Sequence, residues 1–521
     1  MKKIIFTFAL LVPAMTFFWG CNDNPVSSKT DTLVFKDTIV SKDTVVSKDT
    51  TFVKDTSKAS GQIYANFAKS DIFDLTFLKG MTSLQWLNLD SNFFSDISPL
   101  DSLKNLQWLN VRNNYLVSDI SPLSGLSKLT TLNLSGDWRI TDITPLASMT
   151  SLVDLSLLSA NGVTDISTLS KLTNLKKLDL GWANSITTYN ACSTLTKLEW
   201  LRLAGKGATS VSGISGLPNL QTVLLAHNAL TSINLSNLPK VKTVDFEYCD
   251  SVLGVVLSAM PAVDTINLTN CRGLAQLSLT GLSGLKALIF GSGFLTNSSI
   301  TLSGLSSIDS VAASLEKVTN MSFINGLTSL KKLTVFSQAL TDISAVSALT
   351  GLENLSFRGD GLIDISPIQG LTGLTSLSLS YCGSITNLAP LSALTKLENL
   401  DLSNSRAITS IAVVANLTKL KSINVRYCQG LDTALPDMSA LTQLRYLNIN
   451  NCSTLKNISG IATLTGLNNI DIRYNGLNPV TAAPILPLMT SAADTLRYST
   501  GQLDSTQVAT LKGAGVILPA Y

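Results

Sequence analysis

The side chains that could catalyse a reaction are few in this chain of 521 residues, which has a single histidine, His227. Catalytic triads of the serine or cysteine type and histidine-based zinc sites need a suitably placed histidine, and most need more than one. No phosphate-binding loop or nucleophile elbow occurs either. The sequence therefore predicts no catalytic residues, no metal site and no cofactor. His227 is interpreted as an ordinary surface residue.

Cysteine recurs with a spacing that indicates packing rather than reactivity. Five of the seven cysteines occupy one recurring place in the chain: Cys249, Cys271, Cys382, Cys428 and Cys452. Asn92, Asn114, Asn228 and Asn475 occupy the same place in other segments. A side chain there should point inward, where cysteine packs as a small buried residue and asparagine bonds to backbone groups. Because no C-x-x-C pair occurs, we expect free, buried thiols.

Aspartate recurs in a second place, usually before Ile-Ser or Ile-Thr: Asp96, Asp119, Asp142, Asp165, Asp342 and Asp364. Stacked carboxylates would suit a calcium ladder, because calcium prefers oxygen ligands. An aspartate just before a turn can instead accept hydrogen bonds from the free N–H groups of that turn. Capping is the favoured interpretation, and the calcium ladder is the alternative.

These recurrences belong to one repeat, L-x-x-L-x-L-x-x-N/C, which begins eighteen times between Leu84 and Leu467 at intervals of 21 to 24 residues. The spacing and pattern are those of leucine-rich repeats. Leucines two positions apart share one face of a short strand, and stacking the coils buries them in a continuous core. The fold class predicted is α/β: a leucine-rich repeat solenoid with a parallel sheet on its concave face. Each coil should return through a turn or short 3₁₀ segment. Where Lys206, Gly293 and Glu316 replace asparagine, we expect local slips in register.

The repeats predict the domain organisation. Residues 84–475 form the repeats, with an N-terminal cap at 59–83 and a C-terminal cap at 476–521 that contains a helix between Asp504 and Lys512. Residues 1–20 combine two lysines with an apolar run, as in a signal peptide. Residues 21–58 repeat Lys-Asp-Thr every six residues, are polar and β-branched, and are interpreted as a stalk.

Two resemblances are carried by these residues. Gly20-Cys21 after the apolar run resembles a bacterial lipoprotein signal, which implies lipid attachment at Cys21. An ordinary signal peptide with an incidental cysteine is the alternative. The Asp-Ile-Ser-Pro-Leu coils over residues 71–475 resemble the internalin-like subclass of bacterial leucine-rich repeat proteins. That resemblance implies a non-enzymatic binder, displayed on the cell surface, that uses its concave face. A Leu-Pro-x-Thr-Gly sorting motif is absent, so a host receptor is not implied.

The expected partner is a protein or a polysaccharide. The net charge is +3 and only 14% of residues are charged, so nucleic-acid binding through phosphate contacts is not expected. We expect a monomer that meets the membrane only through its lipid, and Asn22 after Cys21 is compatible with the outer membrane and cell surface. Aromatic and arginine side chains are common anchors of interfaces. Such residues, with one aspartate, stand at or beside the outward strand positions and are the predicted ligand contacts: Trp86, Asp90, Trp108, Arg112, Trp182, Trp200, Arg202, Tyr381, Arg426, Tyr427, Tyr446, Arg473 and Tyr474. Two alternatives stay open: these rings stack only to stabilise the sheet, or the protein is an envelope scaffold without a dedicated ligand.

Overall fold

The computed structural model describes residues 63–205, 207 and 210–519. The predicted signal peptide, Cys21 and the stalk lie outside the described residues. The described residues contain twenty-four strands: β1 Tyr64–Asn66, β2 Trp86–Asn88, β3 Trp108–Asn110, β4 Thr131–Asn133, β5 Asp154–Ser156, β6 Lys177–Asp179, β7 Trp200–Arg202, β8 Thr222–Leu224, β9 Ser232–Ser236, β10 Thr243–Asp245, β11 Gly254–Ser258, β12 Thr265–Leu268, β13 Gln276–Thr280, β14 Ala287–Ser292, β15 Ile300–Ser303, β16 Ser310–Leu315, β17 Lys332–Phe336, β18 Asn354–Arg358, β19 Ser376–Ser378, β20 Asn399–Asp401, β21 Ser422–Asn424, β22 Tyr446–Asn448, β23 Asn469–Asp471 and β24 Thr495–Arg497.

Twenty of the strands form one long parallel sheet, in which each strand pairs with the corresponding strand of the next coil. The geometry that recurs from coil to coil follows from the spacing of the leucines. In β2, Leu87 is buried between the outward-facing Trp86 and Asn88, and the same alternation repeats from coil to coil. The leucines merge into one continuous core. The leucine-rich repeat solenoid predicted from the sequence is confirmed.

The return half of most coils is a short 3₁₀ helix, as predicted. These helices are Thr76–Leu78, Ser98–Ser102, Ser121–Gly125, Thr144–Ser148, Ser167–Lys171, Asn190–Thr194, Ser212–Ile214, Asn297–Ser299, Ser322–Ile324, Ser344–Ala348, Ser366–Ile368, Ala389–Ala393, Ala412–Asn416, Ser459–Ile461 and Ala483–Ile485. The capping interpretation of the recurring aspartates is confirmed. Each of the six accepts a hydrogen bond at 2.7–2.8 Å from the backbone N–H two residues later.

In three coils the 3₁₀ return is replaced by a strand, so the prediction is wrong there, and in a fourth the 3₁₀ helix Asn297–Ser299 leads directly into a strand. Here β9, β11, β13 and β15 form a second, four-stranded parallel sheet. The sequence explains the change, because these segments lack Asp-Ile-Ser-Pro and alternate apolar and polar residues instead. In β9, Ile233 and Leu235 are buried while Ser232 and Asn234 face outward. Such alternation has the period of a strand.

The side chain at the ninth position of the coil, counted from its first leucine, points inward, as the sequence predicted. Asn92 donates to the carbonyls of Phe67 and Leu89, both at 2.8 Å. Cys249 and Cys271 are fully buried, and the six described cysteines are unpaired. Burial raises the pKa of the Cys249 thiol to about 11 and that of Cys271 to about 12.

The expected register slips are not found where they can be checked. Lys206 lies outside the described residues. In the coils containing Gly293 and Glu316, β14 and β16 pair in register over six residues, from Ala287 opposite Ser310 to Ser292 opposite Leu315. The two strands simply extend further along the coil than their neighbours do.

The sheet continues beyond the repeats at both ends. Within the predicted N-terminal cap, β1 pairs with β2. Within the predicted C-terminal cap, β24 pairs with β23, and two helices are present: α1 Pro479–Ala482 and α2 Ser505–Gly513. The helix predicted between Asp504 and Lys512 corresponds to α2, and the side chain of Asp504 caps it by accepting from the N–H of Gln507. Among the described residues, no helix has the length and hydropathy needed to span a membrane.

Candidate binding surface

Two groups of positions on each coil face outward, and both are candidates for ligand contact. We call the third, fifth and seventh positions the sheet face, and the eighth positions the sheet edge. Most polar side chains at the fifth position accept a hydrogen bond from the backbone of their own coil. Asn88, Asn110 and Asp401 each accept the N–H of the residue two positions later, at 3.1, 3.1 and 2.9 Å. Third, seventh and eighth positions are therefore the ones whose side chains vary without breaking the coil.

At the N-terminal end, three aromatic rings lie in a row along the sheet face, and two of them stack. Trp86 and Trp108 are register partners, and their ring centroids lie 4.4 Å apart with planes 11° from parallel. Tyr64 extends the row, with its ring 6.5 Å from that of Trp86. The predicted neighbours Asp90 and Arg112 are half-buried at seventh positions. We call Tyr64, Trp86 and Trp108 the N-terminal aromatic stack.

An open groove is lined by residues that follow β3, β4 and β5. It has a volume of about 350 Å³, and Arg112, Tyr115, Gly136, Trp138 and Ser159 are among its lining residues. Tyr115 and Trp138 are both half exposed, and the guanidinium of Arg139 lies 5.1 Å from the Trp138 ring centroid. The volume falls at the lower end of the range for small-ligand sites.

Further along the sheet face, Trp200 lies in a cluster of charges. The ammonium group of Lys177 and the guanidinium of Arg202 each lie 5.4 Å from the Trp200 ring centroid. Each cation also forms an ion pair with a carboxylate at 3.3 Å: Lys177 with Asp154, and Arg202 with Asp179. Burial raises the pKa of both carboxyl groups, an effect that the neighbouring cations partly oppose.

The sheet edge between Trp182 and Tyr248 carries three rings in strained backbone. Trp182, His227 and Tyr248 have φ values of 56°, 62° and 60°, in the left-handed region. The rings of His227 and Tyr248 stack at 5.0 Å, and that of Trp182 lies 5.9 Å from His227. Bulky residues pay about 1–2 kcal/mol for this backbone conformation. His227 is thus part of an aromatic row, which its interpretation as an ordinary surface residue missed.

The C-terminal half of the sheet edge carries tyrosines in the same conformation. Tyr381, Tyr427 and Tyr474 have φ values of 56°, 61° and 58°. The guanidinium of Arg358 lies 4.0 Å from the Tyr381 ring centroid, and that of Arg426 lies 4.7 Å from the Tyr427 ring centroid.

The last two predicted contacts lie on the sheet face nearby. Tyr446 is half-buried, and its hydroxyl accepts a hydrogen bond from Asn448 at 3.1 Å. Arg473 forms two hydrogen bonds, of 2.9 and 2.6 Å, with the buried carboxylate of Asp471. Because of this pairing, Arg473 contributes to the fold and is less available as a ligand contact than the sequence predicted.

The predicted contacts therefore do not form a single cluster. The structure brings together Trp86 with Trp108, Trp200 with Arg202, and Arg426 with Tyr427, at separate places along the sheet. Sequence reasoning missed Tyr64, Lys177, Asp179, Tyr248 and Arg358. An aromatic row at the eighth position is visible in the repeat alignment of this chain, but the cross-coil pairs depend on register that only the structure supplies. Within the described residues, no group of three or more histidine, cysteine, aspartate or glutamate side chains is arranged to hold a metal.

Comparison with known proteins gives the following likenesses. A family model described as leucine-rich repeats, in two copies, matches residues 104–148. None of the curated proteins matches the sequence. A solved leucine-rich repeat protein from Leptospira interrogans is 21% identical with a TM-score of 0.42, over 83% of this chain and 95% of its own. An internalin (InlF) from Listeria monocytogenes is 21% identical with a TM-score of 0.27, over 80% and 88%. The functional domain of InlJ from the same species, described as including a cysteine ladder, is 18% identical with a TM-score of 0.37, over 85% and 75%.

Proposed function

We propose that this chain is a non-enzymatic binding module of the bacterial cell envelope that recognises a protein or polysaccharide partner on its sheet face and sheet edge. The observation that carries the proposal is the N-terminal aromatic stack. Trp86 and Trp108 occupy outward positions, where the coil accepts threonine or serine elsewhere, as in β4 and β19. Half-buried indole rings on a polar surface supply large contact area to a partner at little entropic cost.

A double variant of the two tryptophans tests this proposal. Replacing both, Trp86→Ala with Trp108→Ala, should weaken capture of the partner at least tenfold, since aromatic anchors contribute one to a few kcal/mol to binding. The melting temperature should change little, because the leucine core beneath is untouched. The measurement is biolayer interferometry against a panel of polysaccharides, envelope protein extracts and labelled cells.

A matched control comes from the return side of the same two coils. Lys104→Ala with Lys128→Ala removes two exposed side chains and should change neither binding nor melting. If the parent protein binds no member of the panel, or if the tryptophan variant binds normally or melts far earlier, the rings have only a structural role. The protein would then fit better the envelope scaffold, which the mutual stacking of Trp86 and Trp108 also favours.

We further propose that the protein lies outside the cytoplasm and is attached to a membrane by a lipid on Cys21. The stalk would then hold the repeats away from the membrane surface. The support is the sequence Gly20-Cys21 behind an apolar segment. Cys21→Ser should abolish incorporation of labelled palmitate and release the protein from the membrane fraction, because the thiol is the group that would be acylated. Cys192→Ser, at a buried position of a return turn, is the control and should remain labelled. Labelling of the Cys21→Ser variant at the parental level would contradict the anchor.

A further inference from the structure

The C-terminal part of the sheet edge has a regular alternation that the coil itself does not require. Five consecutive coils present Tyr381, Asn404, Tyr427, Asn451 and Tyr474 at the eighth position, all with φ between 56° and 63°. Asparagine tolerates this left-handed conformation and tyrosine does not, so the fold alone would favour asparagine throughout. Strained residues that persist on a surface point to a function. We call these five residues the tyrosine edge.

The backbone holds the tyrosine edge rigidly. The N–H of Tyr381 donates to the carbonyl of Ser403 and that of Tyr427 donates to Asn450, both at 2.8 Å, so the hydrogen bonding between coils continues through the edge. Neighbouring strands in a sheet are about 4.8 Å apart, so tyrosines in alternate coils repeat about every 10 Å. This distance is comparable to the length of one disaccharide in an extended, β-linked polysaccharide.

The side chains of the tyrosine edge are available to a ligand. Tyr381 is 37% exposed and Tyr474 is 59% exposed. Within the described part of the chain, the side-chain amides of Asn404 and Asn451 make no hydrogen bond. Asn113, at the same position of an N-terminal coil, differs because it bonds to Asp90 and Ser91. Aromatic faces that alternate with amides present stacking surfaces and hydrogen-bonding groups in the order that linked sugars require.

The charges beside the tyrosine edge favour an acidic ligand. Arg426 is exposed, stacks on Tyr427, and forms no ion pair with any described residue. Arg406, one coil earlier, is also exposed and forms none within the same residues. Arg202, far along the sheet face, and Arg473, beside Tyr474, are instead paired with carboxylates. A guanidinium that lies over a ring and has no carboxylate partner keeps N–H groups available for the carboxylate of a ligand.

We propose that the tyrosine edge binds an extended acidic polysaccharide, with sugar rings packed against Tyr381, Tyr427 and Tyr474 and a carboxylate paired with Arg426. This inference rests on the proposed binding function and names the ligand class for one part of the surface. The N-terminal aromatic stack lies many coils away and is not needed for it.

The test measures binding of hyaluronan and alginate oligosaccharides to the purified protein by calorimetry. At least one acidic oligosaccharide should bind, with lower affinity at higher salt. Tyr427→Asn should reduce the affinity at least tenfold and should melt no lower than the parent, because asparagine suits the left-handed position better. Arg426→Gln should also reduce the affinity at least tenfold. Lys419→Gln, which removes an exposed cation on the return side, should leave it unchanged.

Three results would overturn the proposal: no binding of either acidic oligosaccharide, unchanged affinity in Tyr427→Asn, or equal binding of the neutral chitohexaose. The Trp86→Ala, Trp108→Ala variant separates this proposal from the broader one. It should bind the acidic oligosaccharide as the parent does. Suppose that the double tryptophan variant loses capture of the partner and that the parent protein binds neither oligosaccharide. The proposal of a polysaccharide site at the tyrosine edge would then be rejected, while the broader proposal of a binding module would stand.

Discussion

Asp137→Asn is expected to stabilise the protein by about 4 kcal/mol at pH 7, because the aspartate is held in its neutral form by burial. Asp137 is fully buried at a ninth position, where Asn92 and Asn114 stand in the two preceding coils. One carboxyl oxygen accepts the N–H of Asn114 at 2.6 Å, and the other has no hydrogen-bond partner among the described residues. Burial raises the pKa of Asp137 from 3.8 to about 9.

Because the pKa of Asp137 is raised in the folded protein, stability should fall as the pH rises. A folded-state pKa above the unfolded value means that the folded protein binds the proton more tightly. The contribution to stability is therefore complete below about pH 4 and is lost progressively as the pH rises towards 9, by about 1.4 kcal/mol for each pH unit. An amide cannot ionise and can donate to carbonyl oxygens as Asn92 does. The advantage of Asp137→Asn should therefore be large at pH 8 and absent near pH 4.

Hydrogen exchange of the coils between Leu106 and Leu152 measures this effect locally, since coils of a solenoid open in part independently. Asp142→Asn is the control. The carboxyl group of Asp142 is exposed, and hydrogen bonds from Thr144 lower its pKa, so its replacement should give no gain at any pH. A parent protein whose exchange rates in these coils ignore pH between 4 and 8, after correction for intrinsic exchange, would contradict the assignment of a neutral Asp137.

The parts of this fold that the sequence predicted are those decided within one coil. Leucines two apart share a strand face, Asp96 precedes the turn that it caps, and Cys249 stands where asparagine stands in other coils. Each inference needs only the spacing inside about 22 residues. The four-stranded second sheet was not predicted, because the alternation of apolar and polar residues in segments such as Ser232–Ser236 spans only five residues of a coil whose main strand follows the leucine pattern.

The candidate surface was less predictable because its contacts cross between coils. Lys177 meets Trp200 because β6 and β7 are in register, and the spacing between coils varies by up to three residues. The conformation of the eighth position is also invisible in the residue types, since Trp182 and Tyr427 are residues that normally avoid positive φ. The structure supplies both facts, and with them the difference between the sheet face and the sheet edge.

The asparagine ladder should be the most sensitive polar feature of the core, and Asn114 is its fully buried member. Its side-chain oxygen accepts the N–H of Asn92 at 3.1 Å, and its amide donates to the carbonyls of Leu89 and Val111. Alanine would leave two of these backbone groups, the N–H of Asn92 and the carbonyl of Val111, unsatisfied where water does not reach, while the carbonyl of Leu89 would keep its bond from Asn92. A buried unsatisfied group costs about 1–3 kcal/mol, so Asn114→Ala should lower the free energy of unfolding by roughly 3 kcal/mol or more.

Cysteine at the same position should cost less, and the chain itself indicates why. The thiol of Cys271 donates to the carbonyl of Phe246 at 3.2 Å, so a cysteine retains one of the donors that asparagine supplies. Urea denaturation should therefore rank the parent above Asn114→Cys, and Asn114→Cys above Asn114→Ala. Asn105→Ala, which removes a bond to the carbonyl of Thr82 and a bond from the ammonium group of Lys128 on the more exposed return side, should cost about 1 kcal/mol or less, because water can replace both partners. Equal losses for Asn105→Ala and Asn114→Ala would mean that the ladder is not what holds consecutive coils together.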